Sequence, residues 1–138
     1  MAQALLLDTC AALWLINGDP MSAASRDSIR KAQSRSLGIH VSPISAWEIA
    51  TLVARNRLRL TMNVDQWFNA QLALPGIRLA PMPPEILIAS ASLPGAPPRD
   101  PADRIIAATA RAHRLTVITR DGELIPYAQA GYIRVIAC

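Results

Sequence analysis

Four carboxylates in this 138-residue chain stand where chemistry could be done. Asp8 closes the apolar run LLL, Glu48 lies in SAWE, Asp103 in RDPADR and Asp121 in TRDGE. Carboxylates brought together can hold a hard divalent cation through oxygen alone, and a cation so held activates water and neutralises phosphate charge. An all-oxygen set suits Mg²⁺ or Mn²⁺ and not zinc, which takes imidazole or thiolate. The two histidines add little to such a site, since His40 falls inside an expected strand and His113 at the end of an expected helix. Cys10 and Cys138 have neither metal-ligand spacing nor a bridge framework, so both are expected as free thiols, Cys10 packed within a helix.

Each acid also has an ordinary structural use. Asp100 can cap a helix whose first residue is Pro101, with Asp103 at the third position reaching back to the cap. Asp8 can cap a helix beginning at Thr9, Ser45 to Glu48 reads as a capping box, and Asp121 before Gly122 suits a turn. These uses do not explain why all four acids fall just past a strand or in the first turns of the following helix. Two carboxylates ~4 Å apart repel by about 1 kcal/mol in water and about 4 kcal/mol at an effective dielectric of 20. Helix N-termini offset part of that repulsion, and a bound divalent cation far more.

The elements that must position these acids alternate. Apolar runs of buried-strand type occupy residues 4–7, 38–42, 78–81, 115–119 and 133–137. Helical patterns occupy residues 9–17, 22–36, 43–58, 64–74, 85–93 and 101–113. In the third of these, Ile44, Trp47, Leu52 and Val53 are expected to face the core; Trp14 and Trp67 are likewise read as core residues. Residues 93–101, LPGAPPRDP, form a stiff loop. The alternation predicts an α/β domain with a parallel sheet and helices on both faces. In such a sheet, ligands bind outside the carboxyl ends of the strands. A single domain over residues 1–138 is expected.

The charge map points to a polyanion. Fourteen basic residues, thirteen of them arginine, face ten acids. Setting aside Asp8, Glu48, Asp100, Asp103 and Asp121 leaves five acids against fourteen bases, a surface of +9 around an acidic pit. A metal-dependent enzyme acting on nucleic acid needs that arrangement. Arg104 and Arg120, next to acids, are the phosphate candidates, while Arg55, Arg57 and Arg59 suit a solvated helix end. The apolar N-terminus has no basic leader and is interrupted by Asp8, and no run reaches the ~20 apolar residues of a membrane span, so a soluble, cytoplasmic protein is expected.

With these residues placed, the chain resembles the PIN-domain ribonucleases, and within them the VapC toxins of bacterial toxin–antitoxin pairs. The resemblance is carried by LLLDTCAALWLI, VSPISAWEIATLVARNRLRL, RDPADRIIAATA and LTVITRD, and spans residues 5–137. It implies a PIN-like three-layer sandwich, with a five-stranded parallel sheet of order 3-2-1-4-5 flanked by helices. It implies that Asp8, Asp103 and Asp121 hold Mg²⁺ or Mn²⁺, that Glu48 ligates the metal or orients the water, and that Asp100 is an accessory acid. Thr9 and Thr119 match hydroxyl positions beside the acids. Cys10 and Pro98 depart from the family, standing where many relatives carry histidine. The resemblance further implies homodimerisation through helices and inhibition by a small VapB-type antitoxin. The activity so implied is an endoribonuclease leaving 5′-phosphate and 3′-hydroxyl ends.

Other readings of the residues stay open at this point. One is an RNA-processing nuclease without an antitoxin. Another is a non-catalytic nucleic-acid or protein-binding module whose acids are only helix caps. An aspartyl-phosphate phosphohydrolase would want D-x-D after the first strand, and DTC lacks the second aspartate.

Overall fold

The first strand, β1 (Leu5–Leu7), is three leucines with no exposed surface. A strand buried on both faces belongs in the middle of a parallel sheet, and there the computed structural model, which describes residues 3–138, places it. Met1 and Ala2 of the apolar N-terminus lie outside the described residues. β1 leads through α1 (Thr9–Asn17) and α2 (Ala23–Ser34) to β2 (Ile39–Val41), then through α3 (Pro43–Ala54) and α4 (Val64–Leu72) to β3 (Ile77–Leu79). The chain returns through α5 (Pro84–Ala91) and α6 (Pro101–His113) to β4 (Thr116–Thr119), and ends with α7 (Leu124–Gln129) and β5 (Arg134–Ala137).

The sheet order is β3-β2-β1-β4-β5, every pair parallel, as the resemblance implies. In register, Leu7 stands beside Val41 on one side and Ile118 on the other. The order reverses at β1, so the crevice between the ends of β1 and β4 is the switch point where open α/β sheets bind ligands.

Side-chain alternation divides the core into two layers. Leu5, Leu7, Val41 and Ile118 meet Ala11, Ala12, Ile29, Ala32, Ile49 and Trp67 on one face. Leu6 and Val117 meet Ile106, Ala107, Ala110, Leu124 and Tyr127 on the other. Full burial of one such leucine contributes about 1.5–3 kcal/mol. β1 anchors both layers, and the carboxyl end of the sheet inherits that rigidity.

Three expectations about elements need correcting. The helix expected over residues 43–58 ends at Ala54, with Arg55 at its C-cap and Asn56 at φ 56°. Its Trp47 is 61% exposed and faces solvent rather than core, whereas Trp67 is buried and Trp14 half-buried as expected of apolar contacts. The short helix α7 has no counterpart in the periodicity reading: LIPYAQ is six residues with a proline inside, too short to show a helical repeat.

Candidate metal centre at the sheet switch point

The carboxyl ends of β1 and β4 open into a cleft of about 440 Å³ lined by Asp8, Glu48, Asp100, Asp103 and Asp121, with Thr9, Cys10, Trp14, Arg120 and Gly122. All five acids singled out in the sequence therefore meet at one place. Cys10 lies on α1 but at the cleft wall rather than packed inside. Its thiol is pushed up to about 11 by partial desolvation and then by the carboxylates around it.

Asp8 is the N-cap of α1, its Oδ1 accepting from the Ala11 amide at 2.8 Å. Its Oδ2 accepts from the Thr119 hydroxyl, and Thr119 Oγ1 accepts from the Asp121 amide at 2.9 Å. Thr119 thus links the two strand-end aspartates. Asp8 is buried, and burial raises its pKa, with Asp121 adding to the rise; its bonds to Thr119 and Ala11 and the nearby Arg120 oppose it.

Glu48 makes no capping box. Ser42 is the N-cap of α3, its Oγ accepting from the Ile44 amide at 3.1 Å, and Ser45 lies inside the helix. The Glu48 carboxylate instead accepts from the Thr9 hydroxyl. Thr9 Oγ1 is 2.9 Å from Ser45 Oγ, and since the Thr9 proton goes to Glu48, Ser45 donates there. Partial burial raises the Glu48 pKa, against the Thr9 bond, with Asp100, Asp8 and Asp121 adding smaller increments.

Asp100 and Asp103 separate cleanly. Asp100 caps α6, its Oδ1 accepting from the amides of Ala102 at 2.8 Å and Asp103 at 3.4 Å. Asp103 does not reach back to the cap, and among the described residues no donor reaches its carboxylate. Desolvation first, then Asp121, Asp100, Glu48 and Asp8, push its pKa up to about 8. Asp121 accepts at Oδ2 from the amides of Glu123 at 2.8 Å and Leu124 at 2.9 Å, which fixes the start of α7.

The two candidate arginines also differ. Arg104 donates to the carbonyls of Pro98 at 2.8 Å and Ser90 at 3.3 Å; it braces the loop before α6 and does not line the cleft. Arg120 does line it, with its guanidinium carbon 3.7 Å from the centroid of the Trp14 ring.

The donor set fits a hard divalent cation in chemistry: carboxylates and hydroxyls, with no imidazole in the cleft. Among the described residues, no three of these side chains converge tightly enough to enclose one ion as they stand. The tethers explain the spacing, because Asp8, Glu48 and Asp121 are each held by a hydroxyl or by amides. Mg²⁺ tolerates this, since it keeps several waters and takes one or two carboxylates along with substrate phosphate.

A doubly wound parallel sheet with carboxylates gathered at its switch point defines the chain as an α/β protein with an acidic cleft at its ligand-binding edge. The chain belongs to the PIN domain family, whose pattern matches residues 5–129. It is 34% identical over 122 residues to Ribonuclease VapC22 of Mycobacterium tuberculosis, covering 87% of this chain and 88% of that one. The fold is shared with VapBC2 from Rickettsia felis bound to a DNA fragment from its promoter, at a TM-score of 0.70, 14% identity and 98% coverage of both chains. A toxin–antitoxin complex from Klebsiella pneumoniae matches at a TM-score of 0.60 and 22% identity, over 96% of this chain and 95% of that one. FitAcB from Neisseria gonorrhoeae matches at 0.54 and 23%, over 96% of each.

Proposed function

We propose that this protein is a divalent-metal-dependent endoribonuclease, the toxin of a VapBC-type pair. The observation that carries the reading is Asp103, a carboxylate with no donor among the described residues, set among four other acids at the switch point of a PIN fold. Helix capping and turn bonds account for Asp8, Asp100 and Asp121 but leave Asp103 and Glu48 unexplained, which weighs against the binding-module reading. The kinship to a protein named a ribonuclease supports RNA as substrate, and the likeness to toxin–antitoxin complexes supports a small VapB-type partner.

Asp8, Asp103 and Asp121 would hold Mg²⁺ or Mn²⁺ between them, partly through the waters such an ion keeps, with Asp100 at the rim as an accessory acid. When bound, such an ion supplies charge neutralisation and makes water more acidic. Glu48, with its raised pKa and an oxygen left over from the Thr9 bond, takes the proton from the water that attacks phosphorus. Thr119 and Thr9 keep Asp8 and Glu48 aimed into the cleft. Arg120 meets the phosphate. In-line displacement by water leaves 5′-phosphate and 3′-hydroxyl ends.

The chain as a whole forms one PIN-like domain and works as a homodimer in the cytoplasm. Among the described residues no helix is long and apolar enough to cross a membrane. The reading is tested with a short single-stranded RNA and Mn²⁺. Wild type cleaves it and Asp103→Asn does not, though both are folded by circular dichroism; cleavage retained by the variant contradicts the assignment.

A further inference from the structure

Arg120 is placed unlike the other cleft residues. It follows Thr119 directly, so its backbone is fixed by a buried strand end whose hydroxyl is tied to Asp8. Its guanidinium lies over the Trp14 indole at 3.7 Å. The indole is half-buried and packs against the core layer that holds Ala11 and Leu7, so the plate under the guanidinium is itself rigid. Five acids line the same cleft, yet the ion pairs among the described residues are Arg30 and Lys31 with Asp27, and Arg99 with Glu123. Arg120 pairs with none of the acids. Its hydrogen bond to the Pro20 carbonyl is long, 3.4 Å, and it also meets the Cys138 side chain; a guanidinium has five N–H donors, so these two contacts leave part of the fork unspent.

We propose that Trp14 is a positioning residue for Arg120: the indole holds the guanidinium at the cleft mouth, away from the acids, so that its free N–H groups take the oxygens of an RNA phosphate beside the bond that is cut. The inference rests on the nuclease reading and adds to it a residue that does no chemistry. A guanidinium left to itself beside five carboxylates would collapse onto one of them; an ion pair of that kind would occupy the phosphate-binding fork and hold a metal ligand. Stacking on an indole competes with that pairing while leaving the edge of the fork exposed. The fork is then preorganised, and less side-chain freedom is lost when phosphate arrives. The field of Arg120 reaches Asp8 without a bond, and lowers its pKa slightly against the effect of burial.

The test uses the full chain and a fluorescein-labelled single-stranded RNA, with binding followed by anisotropy in EDTA over a range of salt. Arg120→Ala weakens binding about tenfold and lowers the slope of log affinity against log salt by about one. Trp14→Leu keeps apolar bulk but removes the aromatic face, and weakens binding nearly as much. Trp14→Phe keeps a face and retains most of the affinity. The double variant Trp14→Leu/Arg120→Ala binds no more weakly than Arg120→Ala alone, because Trp14 acts through Arg120. In Mn²⁺, Trp14→Leu raises KM and leaves kcat within about twofold, as loss of uniform binding requires. Equal affinities for Trp14→Leu and Trp14→Phe, or additive losses in the double variant, overturn the inference and leave the nuclease reading standing. If wild type binds no RNA at low salt, the nuclease reading falls and the inference with it.

Discussion

The two ends of the sheet both gather like charges, and they treat them in opposite ways. At the amino ends of the strands, a cleft of about 380 Å³ is lined by Arg111, Arg114 and Arg134. Arg111 donates to the Tyr132 carbonyl at 2.7 Å and Arg134 to the Arg114 carbonyl at 2.8 Å, and all three side chains are exposed. Their charges are solvated and screened, and their bonds staple the chain. At the carboxyl ends, Asp8, Glu48, Asp103 and Asp121 are buried or partly buried while Asp100 is exposed at the rim, and Asp103 has no protein donor among the described residues. A fold gains nothing in stability by leaving Asp103 desolvated without a donor. Charge that is inexpensive and bonded marks scaffold; charge that is desolvated and unbonded marks a place kept for something else.

The largest test of this contrast is activity. Asp103→Asn should reduce RNA cleavage by about 100-fold or more, whereas Arg134→Ala at the opposite end should leave it within about twofold. Cleavage assays on the two purified variants check both halves. Equal losses would erase the distinction between the ends.

Thr119→Val comes next. Valine matches the shape of threonine but removes the hydroxyl that serves Asp8 and the Asp121 amide. Leaving those buried groups unserved should cost about 1–3 kcal/mol in chemical denaturation and about tenfold in cleavage. A neutral result would mean that the link between the strand ends does not position the acids.

The third test reverses the usual sign. Asp103 ionises near its ordinary 3.8 when unfolded and near 8 when folded, so folding takes up a proton between those values. Its contribution to stability is therefore lost as pH rises from about 4 to about 8, and is unchanged below that window. In EDTA at pH 8, Asp103→Asn should melt a few degrees above wild type, about 1 kcal/mol once solvent screening of the partly exposed carboxylate is allowed for, and the gain should fade by pH 4. Thermal melts at several pH values read this directly. The smallest effect belongs to the amino end, where Arg134→Ala should cost less than about 1 kcal/mol in the same melts, because its bond is solvent-exposed.

Much of the carboxyl end was legible in the residues themselves. Continuous apolar runs such as LLL and TVIT announce buried parallel strands, and an acid just past such a run falls on the ligand edge whatever the helices do. The strand order came from the family resemblance, since periodicity does not say which strand pairs with which. What sequence could not separate was Asp100 from Asp103: cap and third position satisfy the same spacing, and only geometry shows that one caps while the other stands free. Ser45 to Glu48 misled in the same way, because Ser42 three residues earlier takes the cap and turns Glu48 toward Thr9. Hydrophobicity alone puts Trp47 in the core, and it does not distinguish a helix face that meets the sheet from one that meets solvent. The stacking of Arg120 on Trp14 joins residues 106 positions apart, one inside α1 and the other just past β4, and no local pattern announces it.

The central claim is that the acids at the switch point form one cation site, and proton release on Mn²⁺ binding tests it most directly. At pH 7, a carboxyl that titrates near 8 is mostly protonated, so an ion that ligates Asp103 must expel that proton. Calorimetric titration of wild type with Mn²⁺ in buffers of different ionisation enthalpy should show saturable binding with proton release, and Asp103→Asn should bind far more weakly and release fewer protons. Binding of equal strength in the two proteins, or binding by wild type with no proton released, would contradict the account.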